Sequence, residues 1–337
     1  MRSYLSVAGV VLLAALTVPL TPAPASAEDI GAGGFTLKDP RITESSGLAA
    51  SKVHKGVYWT HNDSDDGAYL YAVDARTGET VATVTMSGVG SPRDVEAISL
   101  GPDGKLYVGD IGDNLDGSWD HVWIYTLPEP KELRDQTIKA TQYDVRYADG
   151  ARNAEALMVH PKTGRVYIAD KKEDGGSLYE GPAELSTSGT NVFKRIAATD
   201  LWVTDGAFSP DGTHLALRGY FGGVLFSWQD GRPKRQGRLS VPLQGQGESI
   251  TYTPDGTTLL YGSEGEQSPV QPGKLPGAGG EASPGGSGKP GAGADGGGDG
   301  TTADYKVGAL VLAVGLAVVF GLKRLFGRGG GGRRGRS

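Results

Sequence analysis

The chain has 337 residues, a net charge of −6 at pH 7 and no cysteine. The lack of cysteine excludes disulfides, thiolate metal sites and a cysteine nucleophile. The segment from Lys323 to Ser337 carries six positive charges and no acid, so the rest of the chain has a net charge of about −12. Such an acidic chain is ill suited to phosphate backbones, and nucleic acid is excluded as a partner.

The first 27 residues have the pattern of a cleavable secretory signal peptide. Arg2 precedes an apolar run from Val7 to Leu20, and Ala25-Ser26-Ala27 places small residues at the positions of a cleavage site. An N-terminal membrane anchor is the alternative, but the apolar run is short and a cleavage site follows it. We therefore expect the chain from Glu28 onward to be exported.

Residues 34–272 contain a repeated segment of strand, turn and strand. Each copy has a short apolar or alternating strand, a turn of the Pro-Asp-Gly or Lys-Thr-Gly type, and a second strand. Proline fixes φ for the turn and glycine supplies a positive φ, which together favour a hairpin. The copies begin at residues 45, 94, 153, 204 and 247.

After the last hairpin one further strand is predicted, at residues 268–271, and after each of the first four hairpins two are predicted. They cover residues 69–75 and 80–86, 122–128 and 139–147, 177–183 and 192–198, and 223–229 and 235–241. Units of four strands that start 43 to 59 residues apart are typical of β-propeller blades.

The last unit is short by one outer strand, and residues 34–40 are expected to supply it. This pairing would close the ring and leave no unpaired sheet edge at the seam. The sequence therefore predicts an all-β fold, a propeller of five four-stranded blades over residues 34–272. A six-bladed propeller with one unrecognised blade is the alternative.

Aligning the units by their turns places an acidic residue at one position of the first strand in four units, with Ser46 there in the first. In a propeller the first strand is innermost, so these side chains should lie near the mouth of the central channel. Arg93 and Arg152 precede two of them by three residues and are candidate partners. The four acidic residues are Glu96, Glu155, Asp205 and Glu248.

Three roles for these four carboxylates remain open. They could accept hydrogen bonds from backbone amides of adjacent blades, hold a bound cation, or form a catalytic pair. Like charges so close need compensation by cations, protonation or backbone donors. Carboxylate oxygens suit calcium or magnesium better than zinc, so calcium is the candidate cofactor and the same four residues are the candidate metal ligands.

A second set of polar residues stands where the second strands end. His61, Asp110 and Asp170 occupy polar, Gly-rich loops that we expect at a rim of the propeller, where ligands usually bind. Aspartates in such loops also commonly make turns to their own backbone. The chain has no Gly-x-Ser-x-Gly motif, and His61 with nearby Asp63 is its one candidate general base.

The C-terminal part is expected to tether the domain to the plasma membrane. Residues 273–304 are rich in Gly and Pro, which is typical of a flexible linker. The uncharged run Val307–Leu322 would cover roughly 24 Å as a helix, and it predicts a transmembrane helix over 305–326. A buried core helix is the alternative, but no domain adjoins it. The basic tail, 327–337, should stay in the cytoplasm by the positive-inside rule.

Five stretches of the repeat also carry a family resemblance. They are ITESSGLAASKVHKGVYWTHNDS, DVEAISLGPDGKLYVGDIGDN, NAEALMVHPKTGRVYIAD, TDGAFSPDGTHLALRGY and GESITYTPDGTTLLYGSEG. In combination they resemble a group of exported, membrane-associated propeller proteins of actinobacteria, loosely grouped with TolB-like and WD40-like propellers. The resemblance covers most of residues 40–265. It implies the fold and a surface location, and the group has no agreed activity.

Some exported propellers similar to this chain are labelled esterase-like or phytase-like, which would imply a calcium-dependent phosphoesterase. That implication transfers poorly, because the chain offers no matching set of phosphate-binding Lys and Arg with clustered metal carboxylates. The Gly-His and Trp-Asp signature of WD40 blades is absent as well.

The sequence thus predicts a monomeric, membrane-tethered propeller whose domain lies outside the cell. The favoured function is non-catalytic binding of a surface protein, peptide or glycan at the rim that bears His61, Asp110 and Asp170. The alternative is a divalent-metal-dependent hydrolase of phosphate or ester bonds, in which the channel carboxylates hold a cation that activates water. A structural envelope protein without a small ligand is a third possibility, since fold does not fix function.

Overall fold

The computed structural model describes residues 31–63, 66–115 and 117–276. The predicted signal peptide, membrane helix and basic tail lie outside the described residues, as does the predicted linker from residue 277 onward. Within the described ranges the chain is all-β, and no helix there is long and apolar enough to cross a membrane.

The described residues form 21 strands joined by turns and loops. In chain order they are β1 (Phe35–Thr36), β2 (Ser45–Ala50), β3 (Val57–Asn62), β4 (Tyr69–Asp74), β5 (Thr80–Ser87), β6 (Val95–Leu100), β7 (Lys105–Asp110), β8 (Val122–Pro128), β9 (Gln136–Lys139), β10 (Thr141–Tyr147), β11 (Ala154–Val159), β12 (Val166–Asp170), β13 (Ser177–Glu180), β14 (Asn191–Ala198), β15 (Val203–Phe208), β16 (His214–Gly219), β17 (Gly222–Gln229), β18 (Arg232–Leu239), β19 (Gly247–Tyr252), β20 (Thr258–Ser263) and β21 (Pro269–Lys274).

These strands pair into four sheets with the orders β2-β3-β4-β5-β9, β15-β16-β17-β18, β1-β21-β20-β19 and β11-β12-β13-β14-β10-β8-β7-β6. The eight-stranded sheet consists of two antiparallel halves joined by the parallel pair β10 and β14. We name the antiparallel groups unit 1 (β2 to β5), unit 2 (β6, β7, β8, β10), unit 3 (β11 to β14), unit 4 (β15 to β18) and unit 5 (β19, β20, β21, β1).

The four-stranded units do not form five separate sheets, because outer strands of neighbouring units pair with one another. β10 runs parallel to β14, with Val145 opposite Asn191. The single strand predicted over 139–147 is broken at Ala140, and β9 turns away to pair in parallel with β5 of unit 1. These pairings occupy sheet edges that would otherwise expose unpaired backbone groups.

The first strands of the units contact one another in a closed cycle, in the order β2, β6, β11, β15, β19 and back to β2. At the seam, β1 pairs antiparallel with β21, with Phe35 opposite Val270. The N-terminal strand therefore supplies the fourth strand of unit 5. The final strand β21 runs to Lys274 and so includes the first two residues of the predicted linker, which was expected to start at residue 273.

The hydrophobic core consists of clusters that lie between neighbouring units. Trp59 and Leu70 of unit 1 pack with Val108 and Tyr125 of unit 2. Similar clusters join units 2 and 3, units 3 and 4, and units 4 and 5. At the seam, Leu37 joins side chains of units 1 and 5. Each unit is thus buried against both of its neighbours.

Every first hairpin has a register shift near the start of its first strand. In unit 2 the regular pairing skips Glu96, and in unit 3 it skips Glu155. The skipped positions in units 1, 4 and 5 are 46–47, 204 and 248–249. Such bulges change the direction of the extra side chain relative to the pleat. In units 2 to 5 these bulges lie at or next to the four carboxylates predicted from the sequence.

The seam gives a direct test of ring closure. Leu37 is fully buried, lies outside the four-strand repeat, and donates its amide to the Ser268 carbonyl at 3.0 Å. Leu37→Ala should lower the free energy of unfolding by about 2–5 kcal/mol, because it opens a cavity between units 1 and 5. Lys38→Ala, one residue away and exposed, is the control and should stay near wild type in urea unfolding. Equal stabilities of the two variants would contradict this account of the seam.

Candidate functional site

Six carboxyl groups gather at the end of the ring where the first strands begin. Three belong to first strands, and three lie next to a strand end at the same end of the ring. The carboxylates lie close enough to repel one another. We call this group the acid mouth: Asp63, Asp94, Glu96, Glu155, Glu248 and Glu264. Four of these side chains, those of Asp94, Glu96, Glu155 and Glu248, are almost completely buried.

Burial and like charge make ionisation of the acid mouth unfavourable. Burial raises the pKa of Asp94 to about 6, that of Glu248 to about 7 and that of Glu264 to about 8, and neighbouring carboxylates add to each effect. The pKa values of Asp63 and Glu96 are also raised well above the usual range by burial and by neighbouring acids. The mouth therefore favours protons or another cation.

Lys171 supplies a positive charge inside this group. Its Nζ lies 2.9 Å from Oε1 of Glu155 and 5.4 Å from the centroid of the Tyr220 ring. Burial opposes the charge of Lys171, but Glu155, Tyr220 and Glu248 outweigh burial and raise its pKa. Lys171 therefore places a positive charge beside Glu155.

A repeated backbone hydrogen bond positions the residues that follow the second strands. In four units an amide donates to the carbonyl that lies two residues before the bulge position, over 2.9 to 3.1 Å. The residues donating these amides are Asp63, Gly112, Lys171 and Glu264. Three units thus place a charged side chain here, and unit 2 places only a glycine.

The glycine of unit 2 lets two carboxylates converge. A Cβ on Gly112 would lie 2.5 Å from both Oδ2 of Asp94 and Oε1 of Glu96. Oxygens of Asp63, Asp94 and Glu96 lie within 4.8 Å of one another, close enough to share a cation. An all-carboxylate donor set suits calcium or magnesium. Of the four metal ligands predicted from the sequence, only Glu96 belongs to this set.

The other predicted ring residues have different surroundings. Asp205 Oδ2 accepts a hydrogen bond from the Ile250 amide at 2.8 Å, and its Oδ1 accepts one from the Gly206 amide at 2.7 Å. In unit 1, Ser46 Oγ donates to the Glu96 carbonyl at 3.1 Å. Asp205 therefore bonds unit 4 to unit 5 by accepting a backbone amide, the first of the three open roles, and Ser46 bonds unit 1 to unit 2 by donating to a carbonyl.

Arg218 is a second buried cation, on the unit 5 side of the mouth. Its Nη1 donates to the carbonyls of Ser249 at 3.0 Å and Gly262 at 2.9 Å. A Cβ on Gly247 would overlap its Nη2, so glycine is needed for the close approach. Burial lowers the pKa of Arg218, and nearby Glu248 opposes that shift. Arg218 thus fixes the backbone on which Glu248 stands.

Arg93 and Arg152 do not pair with the glutamates that follow them. The Arg93 guanidinium lies 4.0 Å from the Trp119 ring centroid and 3.8 Å from that of Trp123, a cation-π sandwich. Arg152 Nη1 donates to Asp170 Oδ2 at 2.9 Å. Both arginines therefore brace the loops around the mouth.

His61, Asp110 and Asp170 were expected at a rim where ligands bind, but the structure buries all three side chains. Asp110 accepts hydrogen bonds from the Asp94 amide at 2.9 Å and the Tyr125 hydroxyl at 2.6 Å. His61 Nδ1 lies 3.0 Å from the Asn62 carbonyl, and burial lowers the pKa of His61 to about 4. A neutral, enclosed His61 does not have the exposure expected of a surface base.

Lys171, Asp94 and Gly112 were missed as site residues by sequence reasoning. A signal for two of them was present: the residue just after or near the end of the second strand is charged in units 1, 3 and 5 and is glycine in unit 2. Alignment at the turns draws attention to the first strands. Alignment at the ends of the second strands would have found Lys171 and Gly112.

Comparisons with known proteins give only remote similarity. No family model and no curated protein matches the chain. Among solved structures, hydrazine synthase of Kuenenia stuttgartiensis has a TM-score of 0.38 and 12% identity, over 65% of this chain and 61% of that chain. An auxiliary nutrient binding protein from Bacteroides thetaiotaomicron has a TM-score of 0.40 and 10% identity, over 68% and 57%. A mitotic checkpoint complex structure has a TM-score of 0.37 and 13% identity, over 67% and 62%.

The chain spans 57–62% of the length of these neighbours, which are propeller-like proteins. Their TM-scores lie below 0.5, so the similarity carries no argument about family or activity.

The raised pKa of Glu264 predicts a specific pH dependence. The folded state holds this proton up to about pH 8, whereas the unfolded state releases it near the ordinary value of 4.5. The folded state therefore binds more protons between these values, and stability should fall as pH rises through them. Glu264→Gln should remove part of that slope and be more stable than wild type at pH 8.

The measurement is urea unfolding from pH 5 to 8, with exposed Glu173→Gln as the control. His61 contributes the opposite sign, since its low folded pKa costs stability as pH falls from about 6.5 towards 4. The informative quantity is thus the difference between each variant and wild type. A constant difference across the pH range for Glu264→Gln would count against a buried proton on Glu264.

Proposed function

We propose that the described domain is a five-bladed β-propeller that acts as a membrane-tethered surface module and binds a cationic group at the acid mouth. The closed cycle of β2, β6, β11, β15 and β19 supports five blades, since β19 returns to β2 without another unit between them. The parallel pairings of β9 and β10 are additions at blade edges. The tether and the extracellular location rest on the signal-like and apolar segments of the sequence.

The excess of buried carboxyl groups over cations at the mouth carries the functional proposal. Oδ1 of Asp63 and Oε2 of Glu248 are buried, and neither has a hydrogen-bond partner among the residues that the structure describes. An unpartnered buried charge is costly, and a positive ligand group would offset that cost. Lys171 shows the chemistry that the mouth accepts, a primary ammonium on an aliphatic stem.

A binding role is favoured over nucleophilic catalysis by the state of His61. Its ring is enclosed, uncharged at neutral pH, and turned with Nδ1 to the backbone of its own strand. The proposed role is therefore recognition of a cationic group on a rigid face.

Thermal unfolding of the full-length protein in mild detergent tests this proposal. Cadaverine should raise the melting temperature, and at a hundred times its Kd it should add about 2.7 kcal/mol of stability. The neutral 1,5-pentanediol, at matched ionic strength, should have no such effect. Glu248→Gln should reduce the cadaverine shift, whereas Glu173→Gln should leave it unchanged. Equal shifts with the diamine and the diol would reject cation binding at the mouth.

A divalent-metal-dependent hydrolase is the second candidate, favoured by the converging oxygens of Asp63, Asp94 and Glu96 beside Gly112. Calcium or magnesium held by these three residues would polarise water or a phosphate oxygen. The rest of the mouth would then exclude anions by its negative charge, a property that suits an ester better than a phosphate.

Metal addition after EDTA treatment separates this candidate from the first. An ion-specific rise in melting temperature with calcium, magnesium or manganese should be lost in Asp94→Asn and reduced in Gly112→Ala, whose Cβ would push the carboxylates apart. Ester and phosphate substrates carrying p-nitrophenol would then be assayed with the effective ion. No response to any of the three ions would eliminate the metal hydrolase.

A further inference from the structure

Three exposed apolar side chains stand around the acid mouth. Leu243 is 93% exposed, Leu115 62% and Phe221 49%, and together they are half of the large hydrophobic residues exposed in the described chain. Scattered apolar residues need no explanation, but a group around a charged opening is typical of an interaction surface.

Strand direction places these three residues on one face. The loop that carries Leu115 begins where β7 ends, the turn with Phe221 begins where β16 ends, and the loop with Leu243 begins where β18 ends. In each antiparallel unit these ends lie beside the start of the first strand. Exposed Val53 lies in the turn between β2 and β3, at the opposite end of the ring.

Phe221 continues an aromatic path from the Lys171 and Glu155 ion pair to solvent. Tyr220 lies against Lys171, and the ring centroids of Tyr220 and Phe221 are 6.3 Å apart. Trp202 packs edge to face on Tyr220, with centroids 5.2 Å apart. The aromatic side chains therefore connect the buried ion pair to the exposed Phe221 ring.

The two leucines are attached to other parts of the same network. Leu115 follows Asn114, whose Nδ2 lies 3.0 Å from Oδ2 of Asp94. Leu243 precedes Gln244, whose Oε1 accepts a hydrogen bond from Arg218 Nη1 at 3.2 Å. Each exposed apolar residue is thus a direct chain neighbour of a residue whose side chain contacts the acid mouth or one of its cations.

Glu248 adds an independent sign of a missing ligand group. It is only 2% exposed, it interacts with Lys171 and Glu155, and its Oε2 lacks a hydrogen-bond partner within the described ranges. A buried carboxylate oxygen left in this state would gain from a donor brought by a ligand.

We propose that this face docks a basic, apolar-flanked peptide segment of a partner protein. A lysine head of the segment enters the acid mouth beside Glu248, while its apolar neighbours contact Phe221, Leu243 and Leu115. The inference rests on the proposed function, because it needs a cation at the mouth. Charge complementarity selects such a peptide over a neutral glycan, and exposed apolar anchors around a charged centre supply the remaining affinity.

Fluorescence anisotropy of the full-length protein in mild detergent tests the inference. The probe is fluorescein-labelled Gly-Leu-Lys-Phe-Leu-Gly, compared with Gly-Ser-Lys-Ser-Ser-Gly and Gly-Leu-Glu-Phe-Leu-Gly. The first peptide should bind at least about tenfold tighter than either other peptide, because only it has both a cation and apolar flanks. Phe221→Ser and Leu243→Ser should each weaken its binding several-fold and leave the serine peptide unchanged.

Val53→Ser, exposed at the opposite end of the ring, is the matched control and should bind all three peptides as wild type does. Equal affinity for the first and serine peptides, or normal binding by both Phe221→Ser and Leu243→Ser, would overturn the docking inference while leaving cation binding in place. Binding of neither lysine peptide, together with no cadaverine shift, would overturn both proposals. Tighter, Phe221-dependent binding of a glucosamine tetramer would replace the peptide by an amino sugar and also overturn the inference.

Discussion

The packing of each sheet against both neighbours is the constraint on which the rest of the structure depends. No unit has a core of its own, since the apolar clusters lie between units and return from unit 5 to unit 1 through Leu37. The chain has no cysteine, so no disulfide can hold the ring closed. Closure depends on buried apolar area and on the pairing of β1 with β21. A defect at any one interface therefore weakens the whole ring.

The closed ring also explains the chemistry at its mouth. Closure brings the starts of the first strands together, and the register shifts there change the direction of Glu96 and Glu155. Side chains that would be solvated on an open sheet become buried beside like charges. The molecule compensates with Lys171, with Arg218 and with raised pKa values. The burial and like charge that make ionisation of these acids unfavourable also favour the binding of a cation at the mouth.

Sequence periodicity predicted much of the fold but less of the site. Hairpin turns and alternating strands are local signals, so the repeat, the N-terminal strand and the buried acids at Glu96, Glu155 and Glu248 could be read directly. The partners could not, because Asp63 of unit 1 meets Asp94 and Glu96 across a unit boundary, and Lys171 meets Glu155 only when β11 and β12 pair. His61 and Asp110 looked like loop residues, and only neighbouring units and backbone donors enclose them.

The sequence by itself determined the all-β class, the order of the hairpins and the recurrence of an acid in the first strand, because these follow from turn chemistry and period-two patterning. Tertiary structure alone decided that β10 joins β14, that Gly112 leaves space for Asp94 and Glu96, and that Lys171 pairs with Glu155. The first outcome is a pairing between two units, and the other two bring together residues of one unit that are distant in the chain. No local pattern encodes such contacts, since they arise only when strands pair and units pack.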